Sequence, residues 1–292
     1  MHPGCVTLVN GDDYCELFPW IGGSIGKWNV QGQPMFREPS LASIDAKDPY
    51  GMGSFPLVPY SNRIGYGEFE WMGQAVRLRR NFPPEPHAIH GVGFERPWTV
   101  QSRTASSAEL TLSHDPDDSW PWSFKATQRV ILADKALQLR LSVANLERHA
   151  VPLGFGHHPY FPKRGAHLTF TARQVWTVGA NGLPSGTVSP SGRFDFREAK
   201  AVEPVEVDHC FSGWQGPARI SWLDRPLALE IDHSRELSSA VLFIRKGADG
   251  FCFEPVPHVN NALNSQGGES AMPTIAAGET YSASIDFRAV PQ

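Results

Sequence analysis

Apolar and polar residues alternate with period two in many short runs of this chain, and the longer period of an amphipathic helix is scarce. Glu68-Phe69-Glu70-Trp71-Met72 leads through Gly73-Gln74 into Ala75-Val76-Arg77-Leu78-Arg79, which predicts a hairpin with one apolar and one polar face. Residues 109–114 alternate in the same way. Residues 127–132 and 137–143, joined by Ala133-Asp134-Lys135, predict another hairpin. Further strands are predicted over 167–171, 218–222, 227–231, 240–244, 251–254 and 281–287. No segment has an N-cap, a long apolar stripe and a C-terminal glycine in the order a helix needs. A short helical turn fits residues 260–264.

Turn formers agree with this reading. The 292 residues include 27 glycines and 25 prolines, spread along the whole length, which suits many short strands joined by tight turns. Nine tryptophans and seventeen phenylalanines exclude a disordered composition. We find no linker, low-complexity tract or repeat. The fold class expected is all-β, a large antiparallel β-sandwich forming a single domain over residues 1–292. Composition alone also admits a jelly roll or a barrel.

A net charge of −4 gives no support for nucleic-acid binding or a polybasic membrane patch. No run of about 18 apolar residues suggests a membrane span. Met1-His2-Pro3-Gly4-Cys5 lacks the basic and apolar regions of a secretory signal. Cys5, Cys15, Cys210 and Cys252 are widely spaced, with no C-x-x-C, so neither a zinc knuckle nor a disulfide scaffold is expected. A cytoplasmic protein with reduced thiols is the simplest reading.

Several clusters can carry chemistry. His87-Ala88-Ile89-His90-Gly91 follows the proline-rich stretch Asn81-Phe82-Pro83-Pro84-Glu85-Pro86. With His157 and His158 it could offer four imidazoles to a metal. No H-E-x-x-H or cysteine pair supports that, and local hydrogen bonding is the ordinary alternative. In Gly156-His157-His158-Pro159-Tyr160-Phe161, an extended backbone sends the adjacent histidines to opposite faces, so one of them can face a given cleft. The pattern does not say which. Glu254, in Gly250-Phe251-Cys252-Phe253-Glu254-Pro255, is a carboxylate inside an aromatic strand, where partial burial raises its pKa towards that of a general base. Solvent exposure at the strand end is the alternative. Alternation puts Phe251 and Phe253 on one face and Cys252 and Glu254 on the other, which argues against an apolar surround for Glu254. Arg63, in Ser61-Asn62-Arg63-Ile64-Gly65, offers a fork of donors for hydroxyls or an anion, and Asp208, in Asp208-His209-Cys210-Phe211, can accept paired hydroxyls.

Taken in order, Asn62-Arg63-Ile64-Gly65, His87-x-x-His90-Gly91, His158-Pro159-Tyr160-Phe161, Asp208-His209-Cys210-Phe211 and Glu254-Pro255 resemble the aldose 1-epimerase (galactose mutarotase) family. The resemblance implies a sandwich of the galactose-mutarotase type and interconversion of α and β anomers of a free hexose or an anionic one, phosphorylated or sulfonated. It implies Glu254 as the base at the C1 hydroxyl, His158 as the acid at the ring oxygen, and His90 as the second active-site histidine. Arg63, Asp208 and Asn62 fall at sugar-binding positions. No metal or organic cofactor is implied, and the partner is a small-molecule sugar. A monomer or homodimer is expected. Val92 stands where family members often carry another glycine, and the second imidazole, His157, has no assigned role. For an anionic sugar, Arg37, Arg77, Arg79 and Lys246 are the available cations. The paired Glu254 and His158 are expected to hold each other charged, with a lowered carboxyl pKa and a raised imidazole pKa. A non-catalytic carbohydrate-binding protein on the same fold is the alternative function. A glycoside hydrolase using Asp208 and Glu254 fits the motif order less well.

Overall fold

A computed structural model describes residues 4–265 and 271–292. Residues 1–3, on which the reading of the leader partly rests, lie outside the described residues. Two large sheets dominate. One has nine strands in the spatial order Thr99–Arg103, Ser107–His114, Phe124–Ala133, Ala136–Asn145, Thr280–Pro291, Leu227–His233, Ala218–Trp222, Ala166–Thr169 and Lys200–Ala201. The other has six: Tyr160–Pro162, Gly250–Val256, Ser239–Ile244, Val207–Ser212, Gln174–Val178 and Pro184–Val188. A four-stranded meander, Val6–Asn10, Asp13–Phe18, Ser24–Val30 and Gln33–Pro34, adds its own buried face. The strands of these sheets pair antiparallel throughout.

Period-two patterning decides what is buried. Along Phe124–Ala133, residues Phe124, Ala126, Gln128, Val130 and Leu132 turn inward while their neighbours are partly or fully exposed. The two large sheets meet through an aromatic layer. Phe287 of the nine-stranded sheet lies 6.3 Å from Phe161 of the six-stranded one, and Phe170 lies 5.0 Å from both Phe211 and Phe253. This is a large antiparallel β-sandwich, as the alternation predicts. Among the described residues no helix is long and apolar enough to cross a membrane.

The predicted strands exist, with shifted ends. The first hairpin runs Glu68–Trp71 and Gln74–Arg77, one residue out of the expected turn register. Met72 and Gly73 make its turn because both take left-handed φ, 49° and 76°. The second predicted hairpin is longer than its alternating run, Phe124–Ala133 with Ala136–Asn145. A single-turn helix, Leu41–Asp45, has no counterpart in the sequence reading. Its N-cap is Ser40, whose hydroxyl accepts from the Ser43 amide at 3.0 Å. The helical turn near 260–264 is a 3₁₀ turn at Ala262–Asn264.

The six-stranded sheet positions the site. Its Phe251 and Phe253 face the sandwich interior, and Phe253 is 5.0 Å from Trp214. Its other face becomes the floor of a cleft.

Candidate active site

Pairing register sets one row of side chains on that floor. Asp208 is opposite Phe243, Phe243 is opposite Cys252, and Cys252 is opposite Tyr160. One pleat further along, Glu254 stands opposite Val241. Loops close the other walls. The cleft has a volume of about 320 Å³, at the small end of ligand-binding cavities and suited to a monosaccharide-sized molecule. Glu254, His158, His90, Arg63, Asp208 and Asn62, drawn from five separate stretches of sequence, all line it.

At its centre His158 Nε2 lies 3.3 Å from Glu254 Oε1. Both side chains are almost wholly buried, and Glu254 Oε2 meets no hydrogen-bond partner among the described residues. The His158 ring packs against both Phe55, at 4.7 Å, and Tyr160, at 4.8 Å, which fixes its plane. Its backbone N–H donates to the Phe55 carbonyl at 2.9 Å.

Sequence alternation left the two histidines open, and the structure separates them. His158 faces the cleft. His157 faces the opposite way, fully buried, with Nδ1 on Ser54 Oγ and Nε2 at 3.1 Å from Gln128 Oε1. The Gln128 amide in turn donates to the Gly23 carbonyl at 2.6 Å. His157 therefore ties the Gly156–His157 segment to the nine-stranded sheet behind the site. His87 is occupied too, by the Tyr66 N–H at 2.9 Å and the Asn181 carbonyl at 2.7 Å. Both rings have both nitrogens occupied, so the four-histidine arrangement considered from sequence does not form.

His90 is held by its own loop. Its Nδ1 accepts from the Asn62 N–H at 3.1 Å, and its N–H donates to the Asn62 carbonyl at 3.0 Å. A ring that accepts at Nδ1 carries its proton at Nε2, so His90 is a neutral donor. Asn62 and His90 both have left-handed φ, 58° and 60°, a strained conformation for residues with side chains. Gly91 follows at φ 70°, and a Cβ there would lie 2.2 Å from the Val58 carbonyl oxygen. Asn81 straps this loop, its amide donating to the Ile89 and Gly91 carbonyls and its oxygen accepting from the Ile89 N–H.

Arg63 sits among three acceptors: Glu85 Oε1 at 3.4 Å, Asp208 Oδ2 at 3.3 Å and Asn62 Oδ1 at 3.5 Å. Such a guanidinium is fixed in place and presents its remaining donors predictably. Sequence reasoning missed the role of Glu85 in this cluster, although it lies in the proline-rich stretch. It also gave no role to Tyr50 and Phe82, which pack 4.9 Å apart on the cleft wall, or to Phe55. Nothing in a lone aromatic residue's sequence context marks it as facing a cleft.

The electrostatic expectation needs correction. Burial pushes the Glu254 carboxyl well above its ordinary range, with Asp208 adding to the rise and Arg63 opposing it. Burial drives His158 down to about 3, against a bond to its own backbone and with Arg37 adding to the fall. His90 is also held well below its ordinary value, by burial first and then by His158 and Arg63. Desolvation of two nearly inaccessible groups outweighs their mutual attraction. Both directions favour the neutral forms, a carboxylic acid beside a neutral imidazole. That state holds the same single proton as the ion pair expected from sequence, moved from one partner to the other. Alternation also misled on the surround of Glu254: its own face carries Val241 and Phe243 alongside the polar groups.

Of the cations considered for an anionic sugar, Arg37 lies over the Tyr160 ring at 3.9 Å and donates to the Tyr50 and Met52 carbonyls. Arg77 pairs with Glu68, and Arg79 with Glu95. None of the four suggested from sequence lines the cleft; Arg245 does. Among the described residues, one group of His, Cys and carboxylate side chains has metal-ligand proximity: His158, Cys252 and Glu254, with donor atoms all within 4.8 Å of one another.

Comparisons with known proteins bear on the family and the fold. The family model for aldose 1-epimerase matches residues 4–288. The uncharacterized protein YphB of Escherichia coli K12 is 27% identical over 299 residues, covering 97% of both chains. The uncharacterized protein YihR of the same organism is 30% identical over 218 residues, covering 70% of this chain and 68% of its own. Among solved structures, a galactose mutarotase-like protein from Clostridium acetobutylicum superposes with a TM-score of 0.87 at 19% identity, covering 99% of this chain and 95% of that one. Galactose 1-epimerase from Lactobacillus acidophilus superposes with a TM-score of 0.80 at 19% identity, covering 98% and 94%.

Proposed function

The chain belongs to the aldose 1-epimerase family, and from that premise we propose that it interconverts the α and β anomers of a free aldose by acid–base ring opening and closure. The observation that carries this reading is the 3.3 Å contact between His158 and Glu254 in a cleft of monosaccharide size. Anomer exchange needs a proton taken from the C1 hydroxyl and another given to the ring oxygen. A single-proton pair can do both and return to its starting state.

In the ionic tautomer, Glu254 takes the C1 hydroxyl proton while His158 delivers its proton to the ring oxygen. The C1–O5 bond breaks and an open-chain aldehyde remains beside a protonated Glu254 and a neutral His158. Rotation about C1–C2 exposes the other carbonyl face. Closure then runs the transfers backwards, from the O5 hydroxyl to His158 and from Glu254 to the new C1 oxygen. Burial favours the neutral tautomer, so it favours the pair as it stands with the ring open. Sugar hydroxyls and the His90 Nε2–H supply the hydrogen bonds that make the ionic tautomer accessible in the closed states. His90 donates to the ring oxygen region. Arg63, Asp208 and Asn62 take ring hydroxyls, and Tyr50, Phe82 and Tyr160 supply the apolar wall. No metal or organic cofactor enters these steps.

A hexose, free or carrying a phosphate or sulfonate, is the substrate we assign. A non-catalytic sugar-binding protein has no need of a buried carboxylic acid beside an imidazole, so the pair supports the catalytic reading. Exchange NMR on glucose, galactose, a hexose 6-phosphate and a hexose 6-sulfonate tests it. At least one sugar is expected to show catalysed exchange. If none does at high enzyme concentration, the reading fails.

A further inference from the structure

Cys252 has no part in the proton transfers proposed above. Yet it lies two residues before Glu254, on the same face of the Gly250–Val256 strand, and it is fully buried. Its Sγ, a ring nitrogen of His158 and a carboxyl oxygen of Glu254 all lie within 4.8 Å of one another. Among the described residues Glu254 Oε2 has no hydrogen-bond partner. We infer that these three side chains form a binding site for a thiophilic divalent cation such as Zn²⁺, and that the bound ion blocks catalysis. The blocking part of this inference rests on the reading of His158 and Glu254 given above.

The donor set and its spacing select the ion. Zinc bonds to thiolate at about 2.3 Å, to imidazole at about 2.0–2.1 Å and to carboxylate at about 2.0–2.2 Å. Round a tetrahedral centre, donors at such distances lie roughly 3.3–3.7 Å apart. Donors already within 4.8 Å close on an ion by small side-chain rotations. Charge balance helps as well. One thiolate and one carboxylate cancel the double charge, and a neutral imidazole adds none, so the loaded site buries no net charge. The thiol proton of Cys252 and the carboxyl proton of Glu254 both leave to solvent as the ion enters. Mg²⁺ and Ca²⁺ seek six or more oxygen ligands and find one carboxyl group here.

His158 and Glu254 both line the cleft, so the ion enters by the sugar's own route and its fourth position faces that route. The lone pairs it occupies are those that move protons. Ion and sugar therefore compete. Cys210 belongs to Val207–Ser212, two strands from Gly250–Val256, and is opposite Val241, outside the trio.

The test uses untagged, chelator-treated full-length protein, with Zn²⁺ as the probe for exchange and dialysis and Co²⁺ as the spectroscopic probe. Wild type is expected to bind one Zn²⁺ per chain, to lose anomer exchange as Zn²⁺ is added, and to recover it with excess sugar or chelator. Mg²⁺ and Ca²⁺ leave exchange unchanged. Wild type with Co²⁺ shows a thiolate-to-cobalt charge-transfer band. In Cys252→Ser, and in Cys252→Ala should the hydroxyl disturb the floor, exchange without metal persists and the band is lost. Groups that merely support a metal ligand are worth roughly 10–100-fold in affinity, so losing a ligand raises the Zn²⁺ needed for inhibition at least about tenfold. Cys210→Ser retains both band and inhibition. The inference is overturned if Cys252→Ser is as zinc-sensitive as wild type, if wild type shows no thiolate band, or if Zn²⁺ speeds exchange. Should no sugar be turned over, the functional reading fails on its own, while dialysis and the cobalt band still decide the site.

Discussion

Glu254 has one oxygen 3.3 Å from His158 and another with no partner among the described residues, in a burial that raises its pKa well above the ordinary value. This has a stability consequence whose sign follows from linkage. Its pKa is raised on folding, so its contribution is fully present below the unfolded value of about 4.5 and is lost as pH rises towards the folded value. Glu254→Gln keeps the shape and removes the ionisation. Thermal melts at pH 8 are expected to place this variant at or above wild-type stability, although it is inactive; a clear loss of stability would contradict the neutral-acid assignment. His90 acts through a fixed donor, its Nδ1 being occupied by the Asn62 N–H. Steady-state rates of His90→Ala are expected to fall about 10²-fold, the scale of a lost preorganised donor. A rate within twofold of wild type would remove His90 from the proposal.

Two kinds of element build the site, and they differ in how much the sequence reveals. Strands were readable: alternation along Gly250–Val256 correctly put Glu254 with Cys252 and away from Phe251 and Phe253. Alternation also required the two adjacent histidines to part, but their assignment needed Gln128, a buried polar residue 29 positions away on another sheet. Loops were less readable. The Asn62–Arg63 and His90–Gly91 segments meet through backbone bonds and left-handed φ angles that no periodicity signals. Gly91 is the fixed point of that arrangement. Gly91→Ala forces a Cβ to within 2.2 Å of the Val58 carbonyl oxygen at a φ of 70°. The left-handed conformation alone costs about 1–3 kcal/mol, so denaturant unfolding is expected to show at least that loss, with weaker sugar binding as His90 shifts. Unchanged stability would mean that the loop has room to relax.

Among the described residues, five histidines are buried with pKa values lowered first by desolvation: His90, His114, His157, His158 and His258. Only some of them serve the cleft, but all bear on acid stability. His157 and His158 fall to about 3 and His258 to about 4, against 6.5 when unfolded. A lowered pKa contributes stability that is present above 6.5 and lost as pH falls towards the folded value. Each such histidine removes up to about 1.4 kcal/mol per pH unit in that window. Melting temperature is therefore expected to drop steeply between pH 6.5 and pH 4, and a flat profile there would contradict neutral burial of these rings. The scale of the fold also explains why the pair's charge state was misjudged from sequence. Two groups read as neighbours suggest attraction, whereas burial is set by sheets and loops from the entire chain. The family motifs named the right neighbours; only packing shows how deeply Glu254 and His158 are buried together.

The proposed sharing of one proton by this pair is tested most directly by exchange NMR on the best sugar substrate with Glu254→Gln, His158→Asn and the double variant. If the two side chains work as one unit, each single change removes roughly 10²–10⁴-fold of catalysed exchange and the double variant is scarcely slower than either. Either single variant remaining near the wild-type rate, or two losses that simply multiply, would contradict the account.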